Sequence, residues 1–238
     1  MRFFRTIASA ALAAATLSTM AAAATVDITR TDGRAQTTEG LTGYTTSGAD
    51  MDGMVVTAGF VQGGERSAVF GTTGNRAGAA QGDGFSLSLS GFSTFSTPFE
   101  LSVTRGVLSW LRIDALPGDT VFDTVRGVTG TPGSANGTVF SPRTKLDGTV
   151  SVLFTNILAL ADETPAGDLY GTMRLGFDQL AGGGLQSGSS FSFVQDTDNL
   201  TTPAEPVISS VPLPAGLPMV LSGLVAFGFM KRLRQKRS

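Results

Sequence analysis

The alternation of apolar and polar residues in short runs constrains the fold of this chain more than any other feature. In the clearest run, Phe85, Leu87 and Leu89 are separated by serines. Successive side chains of a strand point to opposite faces, so this pattern predicts a strand with one buried and one solvated face. The other alternating or apolar runs lie at residues 54–61, 67–71, 99–104, 150–155, 169–177 and 190–193.

Glycine-rich turn signals separate these runs and set their spacing. Examples are Gln62-Gly63-Gly64, Gly82-Asp83-Gly84, Asn136-Gly137, Asp147-Gly148 and Gly182-Gly183-Gly184. Runs about 10 to 20 residues apart, with no amphipathic helical window between them, are typical of all-β domains. We therefore predict an antiparallel β-sandwich of jelly-roll type over residues 25–195, with a β-barrel as the alternative.

We call the part of the chain between its two terminal segments, from residue 25 to about residue 206, the body. Two segments of the body depart from simple alternation. Residues Val107 to Asp114 form a more apolar run that holds the single tryptophan, so we predict a buried strand with Trp110 in the core. Residues 196–210 are polar and contain prolines. They predict a flexible linker after the domain.

The N-terminus has the composition of a secretory signal peptide. Arg2 and Arg5 precede an alanine-rich apolar stretch, and small residues occupy Ala22 and Ala24. This arrangement predicts a signal over residues 1–24, export through the Sec machinery and cleavage before Thr25.

The C-terminus combines a proline motif, an apolar helix and a basic tail. Residues 213–230 carry no charge, and at about 1.5 Å per residue they span roughly the hydrocarbon core of a bilayer. Basic residues in the tail (231–238) predict that it stays in the cytoplasm, with the body on the far side of the inner membrane. The basic residues are Lys231, Arg232, Arg234, Lys236 and Arg237.

Residues 211–238 resemble a known sorting signal. Val211-Pro212-Leu213-Pro214-Ala215, followed by the apolar helix and the basic cluster, is similar to the VPLPA-CTERM signal, a variant of the PEP-CTERM signals of Gram-negative bacteria. The resemblance implies recognition by an exosortase, a membrane-embedded protease that cuts near the motif and passes the body to the cell surface or matrix. An ordinary membrane anchor is the alternative, although an anchor needs no prolines before its helix.

Charge and composition exclude several classes of function. Two of the 17 basic residues precede residue 25 and five follow the helix, so the body carries ten basic and 19 acidic side chains, a net charge of −9. Such a body should be repelled by nucleic acid. The chain has no histidine and no cysteine, which excludes Ser-His-Asp and Cys-His catalysis, His-ligated zinc and disulfides.

Two pairs of aspartates are candidates for a calcium site, and we expect no other cofactor. Asp196 and Asp198 resemble the start of a calcium loop, but Leu200 and Thr201 stand where an EF-hand needs an oxygen ligand and a glycine. A solvated acidic loop is favoured there. Asp50 and Asp52 are favoured as part of a turn before the strand at Met54.

The acids Asp114, Asp119 and Asp123 flank the Pro117-Gly118 turn and offer the carboxylates that glycoside hydrolysis uses. Loop acids are common in an acidic domain, so we expect no enzyme. The sequence favours a structural or adhesive component of the cell surface or biofilm matrix that meets extracellular polysaccharide. A calcium- or glycan-binding surface module is the alternative.

Overall fold

The structure, a computed structural model, describes residues 25–43, 45–125, 137–160 and 167–206. Over these residues the chain is all-β, as predicted. Its only helical segments there are 3-10 turns at Gly48–Met51 and Leu116–Gly118. The predicted signal peptide, sorting motif, C-terminal helix and basic tail lie outside the described residues. Of the residues described, none belongs to a helix with the length and hydropathy that a membrane crossing requires.

Eighteen strands follow one another along the described chain. The first nine are β1 (Thr25–Arg30), β2 (Gln36–Thr38), β3 (Leu41–Gly43), β4 (Val55–Phe60), β5 (Glu65–Val69), β6 (Gly71–Gly74), β7 (Ala77–Gly82), β8 (Phe85–Ser90) and β9 (Phe99–Val103). The others are β10 (Val107–Asp114), β11 (Thr120–Asp123), β12 (Ser141–Pro142), β13 (Thr149–Leu160), β14 (Leu169–Gly176), β15 (Leu185–Gln186), β16 (Ser190–Val194), β17 (Asp196–Leu200) and β18 (Glu205–Pro206).

The strands form two sheets. The smaller sheet has the order β12-β16-β9-β8-β7-β6, and all its pairs are antiparallel. The larger sheet runs β2-β13-β14-β10-β4-β5 along its main path. At its side, β11 pairs with both β14 and β17, and β17 pairs with β3. The antiparallel, sandwich-like body expected from the alternation is thus present.

The N-terminal strands depart from the antiparallel expectation. Both β1 and β2 pair in parallel with β13, at residues 149–154 and 158–160 respectively. Between these two stretches Asn156 adopts a left-handed conformation, with φ of 62°. Its Oδ1 accepts a hydrogen bond from the backbone of Arg34, at 3.3 Å. The long strand β13 therefore offers one edge to two short partners, and Asn156 bends the backbone between them.

The main core lies between the sheets and is rich in phenylalanine. Phe193 of the smaller sheet stacks on Phe99 with ring centroids 5.2 Å apart, and on Phe140 at the same distance. Phe191 contacts Phe193 at 5.7 Å and meets Phe177, just beyond β14, edge-on at 5.5 Å. We call these five residues the phenylalanine core. Both sheets contribute to it, which is what holds them together.

A second, smaller apolar cluster lies beside β11 and β17. It comprises Val121, Leu158, Leu160, Leu169 and Leu200. This packing corrects the predicted linker at residues 196–210, because residues 196–200 form a strand of the larger sheet. The strand is stabilised by pairing with β11 on one side and β3 on the other, which a local reading of its polar sequence could not reveal.

Candidate functional site

The predicted sorting signal at 211–238 and the predicted cleavage-site residues Ala22 and Ala24 lie outside the described residues. Thr25, on the other side of the predicted cleavage site, is described. It is the first residue of β1 and pairs with Thr149 of β13. The predicted cleavage before Thr25 stays a prediction, and a chain that begins there would keep all of β1.

Asp50 is engaged in local structure. Its Oδ2 accepts hydrogen bonds from the backbone N of Ser47, at 2.9 Å, and from the Ser47 hydroxyl, at 2.6 Å. This is a capping box for the 3-10 turn at Gly48–Met51. Asp52 follows at the end of that turn. The two aspartates thus belong to the tight turn before β4, the interpretation that the sequence favoured.

Asp196 and Asp198 are not in a solvated loop, and that expectation is wrong. They are 3% and 1% exposed within β17, where Asp196 lies opposite Asp123 of β11 and Asp198 lies opposite Val121. Asp123 is fully buried. The antiparallel pairing of β11 and β17 therefore collects three acidic residues in the interior. We call Asp123, Asp196 and Asp198 the carboxylate cluster.

Thr94 connects this cluster to the smaller sheet. It lies in the connection between β8 and β9 and is completely buried. Its hydroxyl donates to Oδ1 of Asp196 at 2.9 Å and accepts from the backbone N of Thr197 at 3.0 Å. One threonine thus satisfies two polar groups of β17 where water is excluded.

Burial and neighbouring charge raise the pKa of Asp196 to about 7. Loss of hydration is the largest cause, because burial disfavours the charged carboxylate. The nearby charge of Asp198 raises the pKa further and that of Asp123 adds a smaller contribution, while the Thr94 hydrogen bond lowers it. Asp196 therefore changes its protonation near neutral pH, far above an ordinary aspartate.

Gln195 holds the backbone around the cluster. Its buried side-chain Nε2 donates to the carbonyl oxygens of Asp123, at 2.7 Å, and Thr138, at 3.0 Å. Its Oε1 is buried without a hydrogen-bond partner. The amide thus links β11 to the segment at 137–140 and stabilises this end of the larger sheet.

The candidate metal ligands are not brought together as a metal centre. Within the described ranges, no group of three or more acidic residues is arranged to hold a metal ion. Asp50 directs its carboxylate to Ser47, and Asp196 directs its own to Thr94. The carboxylates of the cluster interact electrostatically but do not converge as a ligand set.

The three acids considered for glycoside hydrolysis occupy different elements. Asp114 ends β10, Asp119 follows the 3-10 turn in a left-handed conformation, and Asp123 ends β11. Burial raises the pKa of Asp114. Asp123 is completely buried, so its carboxylate is not accessible to a substrate at the protein surface.

Trp110 does not lie in the core as predicted, and its position identifies a second region of interest. It is half-buried, while Leu111 and Ile113 of the same strand point into the core. Its indole covers Gly59 of β4, since a Cβ at Gly59 would overlap the ring. A register irregularity between Leu108 and Trp110 turns the tryptophan to the outer face of the larger sheet.

Two arginines lie next to Trp110 on that outer face. Arg112 of β10 is directly opposite Arg174 of β14. The guanidinium of Arg174 lies over the Trp110 ring, 4.9 Å from its centroid. We call Trp110, Arg112 and Arg174 the arginine face.

Sequence reasoning missed the arginine face for a recognisable reason. From Trp110 onward, Trp110, Arg112 and Asp114 alternate with Leu111 and Ile113, which is the usual signal for an outward face. The apolar residues before Trp110 hid this alternation. The pairing of Arg112 with Arg174 requires the register between β10 and β14, which the sequence does not state.

Comparison of the chain with protein-family models, with curated proteins and with solved structures gives no match.

Proposed function

We propose that this chain is an exported cell-envelope protein, sorted by an exosortase-like enzyme, that serves as a structural or adhesive component of the cell surface or biofilm matrix. The observation that carries the proposal is the order of three C-terminal features: the motif at Val211–Ala215, the uncharged stretch 213–230 and the basic cluster 231–238. The resemblance of this order to the VPLPA-CTERM signal supplies the sorting step.

The N-terminus and the body support the same proposal. A Sec signal at residues 1–24 and a positive C-terminal tail both orient the body away from the cytoplasm. In this proposal the body is a jelly-roll-type sandwich held in the periplasm by its helix until the exosortase acts. A sandwich with a packed aromatic core and no cysteine suits an environment in which redox conditions vary.

A glycan-binding surface module is the second candidate, and the arginine face favours it over a calcium-binding module. Trp110 and Arg174 are half-buried and Arg112 is exposed on this face, and aromatic and guanidinium groups together can bind the faces, hydroxyls and acidic groups of sugars. The calcium alternative has no comparable support, because Asp50 and Asp196 are each engaged by neighbouring hydroxyls.

The test is the intact mass of the protein recovered from the envelope and the medium of its native host. We expect a mature species that begins at Thr25 and ends near residues 210–215. Substituting both Pro212 and Pro214 by alanine, which keeps the chain length, should abolish that species. A matched variant with alanine at Pro203 and Pro206, upstream of the motif, should be processed normally.

A mature protein that retains Lys231–Ser238 in every fraction would contradict the sorting proposal. It would instead establish a single-pass anchor with the body in the periplasm. Processing that survives the loss of Pro212 and Pro214 would contradict the role given to the motif.

A further inference from the structure

We propose that the arginine face binds an acidic polysaccharide, a polymer whose sugars carry carboxylates. This inference rests on the proposed function, since it names the matrix component that the body would contact at the cell surface. It is carried by the juxtaposition of Trp110, Arg112 and Arg174 on the outer face of the larger sheet.

The guanidinium of Arg174 is held in position by the Trp110 ring. Trp110 lies between Gly59 of β4 and Gly176 of β14, its register partners on either side. Neither glycine has a side chain, so the indole can lie close to the sheet and cover Gly59. Arg174 lies over this ring at 4.9 Å. Stacking on an aromatic ring limits the freedom of the guanidinium, so less entropy is lost when it binds a ligand.

Arg112 and Arg174 place two positive charges directly opposite each other. Side chains directly opposite on antiparallel strands have Cβ atoms about 5 Å apart, and like charges at this spacing repel. Within the described residues, neither Arg112 nor Arg174 forms a salt bridge; the ion pairs there join Asp83 to Arg66 and Arg105. A carboxylate bound between Arg112 and Arg174 would relieve their repulsion and accept charge-assisted hydrogen bonds from both.

The side chains around this pair also affect which ligand it can bind. Register places Thr57 and Ser67 beside Arg112 on one side, and Ser151 beside Gly176 on the other. Hydroxyl side chains therefore flank the arginine face, although Leu153 lies opposite Arg174 and the exposed Val69 lies on the edge strand β5. A cationic pair flanked by hydroxyls suits a hydroxylated and anionic polymer.

Acidic side chains surround the pair and shape what it can accept. Asp114 lies two residues beyond Arg112, and its charge interacts with that arginine without forming a salt bridge. Glu65 on β5 is two strands from β10, and Asp27 on β1 is two strands from β14. These acids, in a body of net charge −9, oppose the charge density of duplex nucleic acid more strongly than that of a polymer with one carboxylate per sugar, whose hydroxyls can donate to them.

Binding is measured with the full-length chain in detergent, against polygalacturonate as the acidic polymer, dextran as the neutral polymer and polyglutamate as an acidic peptide. We expect polygalacturonate to bind best and its binding to weaken as salt is added. Arg112→Gln and Arg174→Gln should each weaken it about tenfold, since each removes a charge-assisted hydrogen bond. Arg143→Gln removes an exposed charge outside this face and should leave binding unchanged.

Arg112 is exposed, so Arg112→Gln tests the inference without disturbing the fold. Unchanged affinity in this variant overturns the inference, as does dextran binding equal to that of polygalacturonate. Polyglutamate binding at least as tightly as polygalacturonate overturns it too and identifies an acidic peptide as the partner. Binding to the purified chain is independent of processing in the host, so failure here is distinguishable from failure of the sorting proposal.

Discussion

The phenylalanine core and the carboxylate cluster are both buried, yet they are stabilised in opposite ways. The core rings pack against one another at centroid distances of 5.2 to 5.7 Å, and its stability comes from apolar area removed from water. The cluster places three acidic residues where water is excluded, so hydrogen bonds and protonation must offset the loss of hydration.

One fold therefore contains a pH-independent and a pH-dependent interior side by side. The core joins the two sheets through side chains that do not titrate. The cluster lies where β11 and β17 pair and contains Asp196, whose charge depends on pH, with Thr94 as the link to the smaller sheet. The following substitutions separate the two contributions.

Truncation of the core should have the largest effect. Phe193 contacts Phe99, Phe140 and Phe191, so Phe193→Ala leaves a cavity among three rings. We expect the free energy of unfolding to fall by about 4 to 5 kcal/mol at every pH between 4 and 8. Urea unfolding measures this, and Phe92→Ala, at a ring that is 68% exposed, should have little effect. A similar loss in both variants would contradict the assignment of the core.

The pH dependence of stability should be the next largest effect. The pKa of Asp196 is about 7 in the fold, against an ordinary value of 3.8, so the folded state binds the extra proton between these values. Stability is therefore full below about pH 4 and declines as pH rises to about 7, by about 4 kcal/mol in total. Above pH 7 this contribution is constant.

Asp196→Asn should flatten that decline, because asparagine does not titrate. A small slope of the same sign should remain, since burial also raises the pKa of Asp114. Asp147→Asn, at an exposed aspartate, should leave the pH dependence unchanged. Thermal unfolding at pH 4, 5.5, 7 and 8 measures all three proteins. Equal pH slopes in the native chain and in Asp196→Asn would contradict the raised pKa of Asp196.

Removing the Gln195 amide, which links β11 to the segment at 137–140, should have an intermediate effect on the free energy of unfolding. In Gln195→Leu the carbonyl oxygens of Asp123 and Thr138 lose the hydrogen bonds from the amide Nε2, while the Asp123 carbonyl keeps its bond from the backbone N of Thr138. Losing the two bonds costs about 2 to 3 kcal/mol. Urea unfolding measures the loss, and Gln81→Leu, at an exposed glutamine of β7, is the matched control. An unchanged midpoint in Gln195→Leu would mean that water or relaxation replaces the amide.

The smallest effect is expected from Thr94→Val, which keeps the shape of the side chain and removes its hydroxyl. Asp196 loses one hydrogen bond, and the backbone N and the hydroxyl of Thr197 both lose the Thr94 oxygen as acceptor, worth about 1 to 2 kcal/mol together. The Thr94 hydroxyl also lowers the pKa of Asp196, so that pKa should rise further in the variant. Measuring the midpoint of the pH dependence checks this, and a downward shift would contradict the assigned hydrogen bond.

Much of the smaller sheet could be predicted from sequence. The alternation at 85–90 and 99–104 corresponds to β8 and β9, and β8 buries every second side chain as expected. By contrast, β7 is built from alanine and glycine and gave no strand signal. Its Gly78 packs against the backbone at Gly48, where a Cβ would overlap, so close approach rather than propensity selects its residues.

The sequence singled out Asp196 and Asp198 as candidate calcium ligands, but it predicted neither their burial beside Asp123 nor the arginine face, because neither arrangement depends on local pattern. Asp196 and Asp198 have the composition of a linker, and only their pairing with β11 buries them. Arg112 and Arg174 come together only through the register of β10 with β14. Trp110 faces outward because the strand is irregular before it, which the apolar run concealed.

The order of residues alone establishes that the body is all-β, that many of its strands bury one face, and that the body is strongly acidic. It also carries the order of terminal signals on which the sorting proposal rests. Strand periodicity and charge are properties of neighbouring residues, so they can be read along the chain. The fold in three dimensions is needed to know which strands pair, which acids become buried and which arginines meet, because those outcomes depend on contacts between residues far apart in sequence.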